Sequence, residues 1–121
     1  MKITLSTGEE FIPKWQGNDK SESPIIFKLH YLTMPERESC QYFVAPIDDK
    51  KRSEKSIRVR VDLSRFFMLG VESIKGLTVE VDGVEKAILT AEDFMALPGM
   101  DDLYTEVALR VKETSGIQVK N

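Results

Sequence analysis

Cysteine and histidine are almost absent from this sequence, in which Cys40 and His30 are the only residues of their types. A single cysteine cannot form an internal disulfide, which suits a reducing, cytosolic compartment. One histidine with one distant cysteine cannot build a Cys/His zinc site. We therefore expect no metal site. His30 is predicted to be an ordinary strand residue and Cys40 a small buried hydrophobe.

Long apolar runs and an excess of basic residues are also missing. No apolar run approaches the roughly 20 residues that a membrane-spanning helix requires. The N-terminal MKITLSTGEE turns polar at once, unlike a signal peptide. We therefore expect a cytoplasmic protein that does not enter a membrane. The net charge is −3, which disfavours a dedicated nucleic-acid-binding protein.

Positive charge is concentrated in one segment of the chain. Residues 48–60 carry six basic and three acidic side chains, whereas residues 61–121 carry six basic and eleven acidic ones. The basic belt consists of Lys50, Lys51, Arg52, Lys55, Arg58 and Arg60. It could contact nucleic-acid phosphates or an acidic partner. However, it contains no aromatic residue to stack on bases, so we favour a solvated, flexible loop over 45–55.

The first half of the chain has the patterns of extended structure. The segments MKITL and FIPKW, on either side of STGEE, predict an N-terminal β-hairpin. Residues 25–32 are rich in β-branched and aromatic side chains, which predicts a strand. Thr33 and Glu36 match a capping box, so a short helix is predicted from Thr33 to about Phe43. The alternation in 56–61 predicts a half-buried strand.

Helical periodicity and turn signals follow. Apolar spacings predict an amphipathic helix over 62–74. Gly70 lies inside its apolar stripe, where it allows close approach of a neighbour or is a point at which the helix bends or ends. The Asp-Gly pair in LTVEVDGVEKAIL predicts a β-hairpin over 77–89. Thr90 is a candidate cap for a helix that Pro98 terminates at Leu97.

The end of the chain predicts a second helix behind a corner. Gly99 permits a reversal after Pro98, and Asp101 or Asp102 begins a longer helix with Gly116 as its C-cap. This corner would let both helices lie against one small sheet. We predict one α+β domain over residues 1–121, with N-terminal antiparallel β segments, a central amphipathic helix, a β-hairpin and a C-terminal helix pair.

Catalytic constellations are missing from the sequence. The three acidic pairs could suggest acid–base chemistry, but turn and helix-cap roles explain them. These pairs are Glu9–Glu10, Asp48–Asp49 and Asp101–Asp102. No glycine-rich segment has the spacing of a phosphate loop. We therefore expect a non-enzymatic protein with no catalytic residue and no cofactor.

A few apolar residues lie away from the predicted apolar stripes. Met68 and Leu69 point away from the centre of one helix stripe, Leu109 lies nearly opposite another, and Trp15 stands beside a polar loop. Apolar residues on such faces can mark contact with a partner or with another copy of the chain. The alternative is that these helices are covered on both sides, or that isolated exposed apolar residues have no role.

The order of these landmarks resembles that of a known protein family. FKLHYLT and MPERE are followed by VDLSRFFMLGVESIKGLTVEVDG, TAEDFMALPG and LYTEVALRVKETSGI. This succession resembles the small tail assembly chaperones and related tail-region proteins of long-tailed bacteriophages and prophages. The resemblance covers residues 25 to about 117 and is strongest over 62–116. The β-rich first half departs from the more helical pattern expected of such a chaperone.

The resemblance implies a role without catalysis. Such chaperones coat the long helical tape-measure protein, keep it soluble and recruit tail-tube subunits, and many have a short and a frameshift-extended form. This chain, which ends in GIQVKN, resembles the short form. A structural tail or head–tail accessory protein remains an alternative, as does a small nucleic-acid-binding regulator that uses the basic belt.

Overall fold

The protein has the mixed α+β architecture that its sequence predicts. The computed structural model describes residues 1–44 and 58–115. The strands are β1 (Gly8–Phe11), β2 (Ile26–His30), β3 (Gln41–Val44), β4 (Arg58–Val61), β5 (Val71–Lys75), β6 (Thr78–Val81) and β7 (Val84–Ala87). The helices are a 3-10 helix (Trp15–Lys20), α1 (Met34–Ser39), α2 (Leu63–Gly70), α3 (Ala91–Met95) and α4 (Asp101–Thr114). The described strands form three antiparallel sheets, ordered β1-β2-β5, β3-β4 and β6-β7.

The first strand pairs with a distant partner, so the predicted N-terminal hairpin is wrong. β1 begins at Gly8, inside the supposed turn, and pairs with β2 in a register that places Phe11 opposite Phe27. A Cβ at Gly8 would overlap the carbonyl oxygen of Leu29. The glycine therefore permits a close backbone approach between β1 and β2, where the sequence suggested a reversal.

A single asparagine organises the connection between β1 and β2. The Nδ2 group of Asn18 donates to the carbonyl oxygens of Pro13 at 2.9 Å and Ile25 at 3.0 Å. Its Oδ1 accepts from the backbone amide of Ile25 at 2.7 Å. The side chain is buried, so these bonds replace the backbone partners that a regular element would supply.

The capping box at the start of α1 is confirmed. Thr33 Oγ1 accepts from the Glu36 amide, and Glu36 Oε1 accepts from the Thr33 amide at 2.8 Å. The helix ends at Ser39, however, and the chain continues as β3 to Val44, where a longer helix was predicted. The β-forming residues after Cys40 pair with β4 instead, and this long-range pairing overrides local helix propensity.

The helix predicted over 62–74 is wrong beyond Gly70, where α2 gives way directly to β5. Lys28 pairs with Ser73 and Leu29 with Val71, so Glu72 is an extra residue in β5. This β-bulge brings Val71 and Ile74 to the same buried face of the sheet. A spacing of three residues, typical of a helix, is therefore produced here by a bulged strand.

The strand predicted over 56–61 is present as β4 from Arg58, while residues 56 and 57 lie outside the described part of the chain. Its predicted burial is wrong, because Val59 and Val61 are both exposed. The predicted flexible loop at 45–55 also falls outside the described residues.

The predicted hairpin at 77–89 is confirmed as β6 and β7. Asp82 and Gly83 both have positive φ angles, 53° and 81°, as a tight type I′ turn requires. Val81 pairs with Val84 next to this turn, and both side chains are exposed.

The two C-terminal helices meet at the predicted corner. Thr90 Oγ1 accepts from the Asp93 amide and caps α3, which ends at Met95, two residues before the predicted end. Gly99 has a φ of 75°, which reverses the chain before α4 begins at Asp101. The helix pair contacts the β1-β2-β5 sheet through α3 on β5 and α4 on β2, although α4 packs mainly against α2. The predicted cap Gly116 lies outside the described residues.

One hydrophobic core joins the central sheet to three of the helices. Phe27 of β2 makes edge-to-face contacts with Phe67 of α2 and Phe94 of α3, with ring centroids 6.3 and 5.9 Å apart. The core continues along α4 through Leu103, Val107 and Val111. These side chains fix α2, α3 and α4 relative to the sheet.

Candidate partner-binding surface

The structure separates the four predicted contact residues into two groups. Met68 on α2 and Leu109 on α4 are 38% and 37% exposed, so a partner could reach both. Leu69 on α2 and Trp15 on the 3-10 helix are partly buried and pack against the core. Of the four residues, Leu109 also lines a shallow groove.

Leu109 borders a shallow groove of about 270 Å³ whose walls are held by ionic and aromatic contacts. The Arg110 guanidinium donates to both carboxylate oxygens of Glu9, at 2.6 and 3.1 Å, and lies 5.3 Å from the ring centroid of Phe11. Tyr31 donates to the same carboxylate at 2.9 Å. Glu9 is therefore a strand residue that ties β1 to α4, and the predicted turn role for it is wrong.

These contacts shift the ionisation of the partners. The hydrogen bond to Glu9 raises the pKa of Arg110. Burial raises the pKa of Tyr31, and its hydrogen bond to Glu9 adds to the effect. Both groups keep their ordinary protonation states at neutral pH, so this cluster has a structural role in joining elements.

An apolar depression lies at the corner between α3 and α4. One part has a volume of about 400 Å³ and is lined by Phe94, Met95, Leu97, Met100, Asp101, Tyr104 and Thr105. The adjoining part, of about 390 Å³, is lined by Val79, Glu80, Val81, Asp82, Leu97, Pro98 and Met100. Leu97 and Met100 belong to both parts, so we treat them as one surface and call it the corner groove.

The corner groove follows directly from the local sequence. Pro98 and Gly99 interrupt the helical path, and this leaves Leu97 and Met100 at the bend with partly exposed side chains. The β6-β7 hairpin supplies the opposite wall, where the alternation of β6 puts Val79 and Val81 on one face. The corner therefore creates an accessible apolar surface as well as joining two helices.

Every charged side chain that lines the corner groove is acidic. Glu80 and Asp82 come from the hairpin, and Asp101 comes from the first turn of α4. Lys86 lies opposite Val79 in the hairpin register but is not a lining residue. An apolar floor with an acidic rim is suited to a partner that offers apolar and positively charged groups.

His30 and Cys40 both form contacts with Glu36 of α1. The Nε2 atom of His30 lies 2.9 Å from Glu36 Oε1, within the capping box of α1. The hydrogen bond from the Thr33 amide lowers the pKa of Glu36, and the bond with His30 adds to this. Cys40 is buried as predicted, and burial raises the pKa of its thiol. In the ranges 1–44 and 58–115, no group of acidic, histidine or cysteine residues is arranged to hold a metal ion.

Sequence reasoning missed the residues of the corner groove. The sequence predicts that the Leu-Pro-Gly corner joins two helices, but no local pattern marks Met95 or Met100 as a partner contact. Their clustering with the acidic residues Glu80 and Asp82 depends on the hairpin folding back over the corner. Four residues of the basic belt lie outside the described residues, and the other two, Arg58 and Arg60, belong to β4.

No family model, no curated protein and no solved structure matches the chain. Within the described residues, no helix has the length and apolar character needed to cross a membrane.

Proposed function

We propose that this chain is a non-enzymatic assembly chaperone of a long-tailed phage or prophage, and that it binds the tape-measure and tail-tube proteins. The observation that carries the proposal is the accessible apolar corner groove, formed in the part of the chain whose landmark order resembles such chaperones. The groove lies within residues 62–116, over which that resemblance is strongest.

Physical chemistry explains how such a surface would act. A long helical protein with apolar stripes aggregates unless those stripes are covered before assembly. A small protein can cover one stretch with an apolar groove while its acidic exterior keeps the complex dispersed. The contact has to be reversible, and a shallow groove with a few flexible methionines suits weak, adaptable binding.

The roles of the polar residues are consistent with a function that does not involve catalysis. Glu9 joins β1 to α4, Glu36 caps α1, and Asp62 caps α2 through the Arg65 amide. Met68 and Leu109 remain our predicted additional contact points, whereas Leu69 and Trp15 are partly buried and pack against the core.

Coexpression provides the direct test. The chain would be produced together with the tape-measure and tail-tube proteins of a long-tailed phage or prophage. We expect it to copurify with them and to keep the tape-measure protein soluble. Met68→Asp and Leu109→Asp should each weaken that copurification about tenfold if these residues are contact points. Met34→Asp, at an exposed position on α1, is the control.

The composition of finished particles separates the chaperone from a virion component. A chaperone should be missing from purified tails, whereas a structural tail or head–tail protein remains in them at fixed stoichiometry. A slippery sequence near the end of the reading frame, followed by a very long helix-coding gene, would support the chaperone. Salt-dependent binding to DNA or RNA without any tail-protein interaction would favour the nucleic-acid alternative.

A further inference from the structure

We propose that the corner groove binds an amphipathic helix of its partner whose apolar face is flanked by lysine or arginine residues. This inference rests on the proposed function, and it identifies the kind of segment that the chaperone would recognise. It follows from the shape of the groove, the residues on its floor and the sign of the charge on its rim.

The base of the groove is fixed, whereas the side chains at its sides can adapt to an inserted apolar group. Leu97, Met100 and Tyr104 are partly buried and pack against the core, so the base of the groove is fixed. Met95 is 40% exposed at one side, and Val81 is exposed at the other. Unbranched methionine side chains can repack around different apolar residues without moving the backbone.

A helix fits this surface better than an extended segment does. Strand addition requires a free backbone edge as the main contact, and it reads alternate side chains. No described strand other than β7 pairs with β6, but most residues that line the groove belong to α3, the corner and α4, which a strand added to β6 would leave uncovered. A helix that places apolar residues at positions i, i+3, i+4 and i+7 presents one continuous stripe to such a groove.

The rim selects the charge of the occupant. Glu80 and Asp82 lie on the hairpin side, and Asp101 lies on the helix side. Basic residues on both flanks of the apolar stripe would therefore meet acidic groups across the groove. Acidic flanks would meet like charge, which costs affinity and slows association.

The same charges disfavour a second copy of this chain as the occupant. In a symmetric dimer each contact surface faces itself, so the acidic residues of one rim would approach those of the other. We therefore assign the groove to a different protein, and self-association through it would contradict the proposal.

Two synthetic helical peptides provide the test. Both have about 20 residues, a length at which helices are stable enough to study. They share the same leucine stripe, but one carries lysine and the other glutamate beside that stripe. Fluorescence anisotropy with the full chain should show about tenfold tighter binding of the lysine peptide at low salt, with the difference shrinking as salt is added.

Matched variants locate the binding. Met95→Gln keeps the length of the side chain and should weaken the lysine peptide about tenfold. Met34→Gln, at a position on α1 that is 68% exposed and does not line the groove, should leave binding unchanged. Asp82→Asn keeps a residue type that tolerates the positive φ of this turn position, and it should reduce the preference for the lysine peptide about threefold. Glu22→Gln, at an exposed loop position, is its control.

Several outcomes would overturn the inference. These are equal binding of the two peptides, equal effects of Met95→Gln and Met34→Gln, or a dimer in sedimentation that Met95→Gln dissociates.

The proposed function can fail separately. If the lysine peptide binds the groove but no tail protein copurifies, the chaperone role is wrong and the groove assignment stands. If Met95→Gln still copurifies tail proteins like the unchanged chain, only the groove assignment fails.

Discussion

At the scale of single residues, buried polar groups determine how irregular segments of this protein are held. Asn18 connects the backbone of Pro13 with that of Ile25 and thereby closes the long connection between β1 and β2. Its amide supplies two donors and one acceptor at positions where no regular element satisfies the backbone. Asn18 should therefore contribute more to the stability of the fold than its small side chain would indicate.

We expect Asn18→Ala to lower the free energy of unfolding by about 2–4 kcal/mol, because it leaves several buried backbone groups without partners. Urea denaturation followed by circular dichroism would measure the change. Asp19→Ala, at the exposed neighbouring position, should change the stability by less than about 0.5 kcal/mol. Equal effects of the two variants would show that the Asn18 hydrogen bonds do not hold this connection.

Glu36 makes the protein sensitive to acid. The capping hydrogen bonds lower its pKa below the ordinary value, so the folded state favours the ionised carboxylate. A group of this kind contributes stability above its unfolded-state pKa, and that stability is lost as the pH falls through the folded-state pKa.

We therefore expect Glu36→Gln to reduce the stability lost between neutral and acidic pH, as the carboxylate becomes protonated. At neutral pH the variant should be less stable by about 0.5–1.5 kcal/mol. Unfolding curves collected across this pH range would test both effects. Glu38→Gln, on the same helix and exposed, is the matched control. An unchanged pH dependence in the Glu36 variant would exclude a role for the cap in acid stability.

At the scale of elements, close approach between neighbours fixes where helices and strands begin and end. A Cβ at Gly70 would overlap both Cγ atoms of Val111, so α2 and α4 touch most closely at this point. The glycine also marks the end of α2 and the start of the bulged strand β5. Its absence of a side chain thus serves helix packing, although glycine is a poor helix former.

Gly70→Ala should lower the free energy of unfolding by about 1–3 kcal/mol, because overpacking outweighs the gain in helix propensity. Combining it with Val111→Ala should give less destabilisation than the sum of the single changes, since the smaller side chain makes room for the new methyl group. Thermal and urea unfolding of the two single variants and the double variant would give the free energies for this double-mutant cycle. If the two changes in the free energy of unfolding simply add, close packing between Gly70 and Val111 does not determine the effect of Gly70→Ala.

The elements that the sequence predicted correctly are those defined by local chemistry. Thr33 with Glu36 caps α1, Asp82 with Gly83 forms the hairpin turn, and Thr90 caps α3. Each signal is contained within a few neighbouring residues. The errors at β1, β3 and β5 occurred where another strand is the decisive partner. That partner is β2 for β1 and β5, and β4 for β3.

At the scale of the whole molecule, the core is distributed unevenly. The central sheet, α2, α3 and α4 share one cluster of buried side chains, whereas most side chains of the β6-β7 hairpin are exposed. Stability should therefore differ between these regions, with the hairpin able to open without disrupting the core. A hairpin that can move would let the corner groove accept partners of different shapes.

Hydrogen exchange measured by mass spectrometry should reveal this difference. Backbone amides in 78–87 should exchange at least about tenfold faster than those in 103–111, because the hairpin has few buried contacts and α4 lies against the core. Addition of the lysine peptide should slow exchange in the hairpin. Equal protection of both regions in the free protein would contradict this description.

The sequence by itself determined the α+β class, the capped helix starts, the Asp-Gly hairpin and the Pro98–Gly99 corner, because each is encoded by adjacent residues. Only the tertiary structure decided that β1 pairs with β2 and that a bulge places Val71 beside Ile74. It also decided that the hairpin and the helix corner enclose an acidic, apolar groove. These features depend on packing between segments distant in sequence, whose relative positions no local pattern specifies.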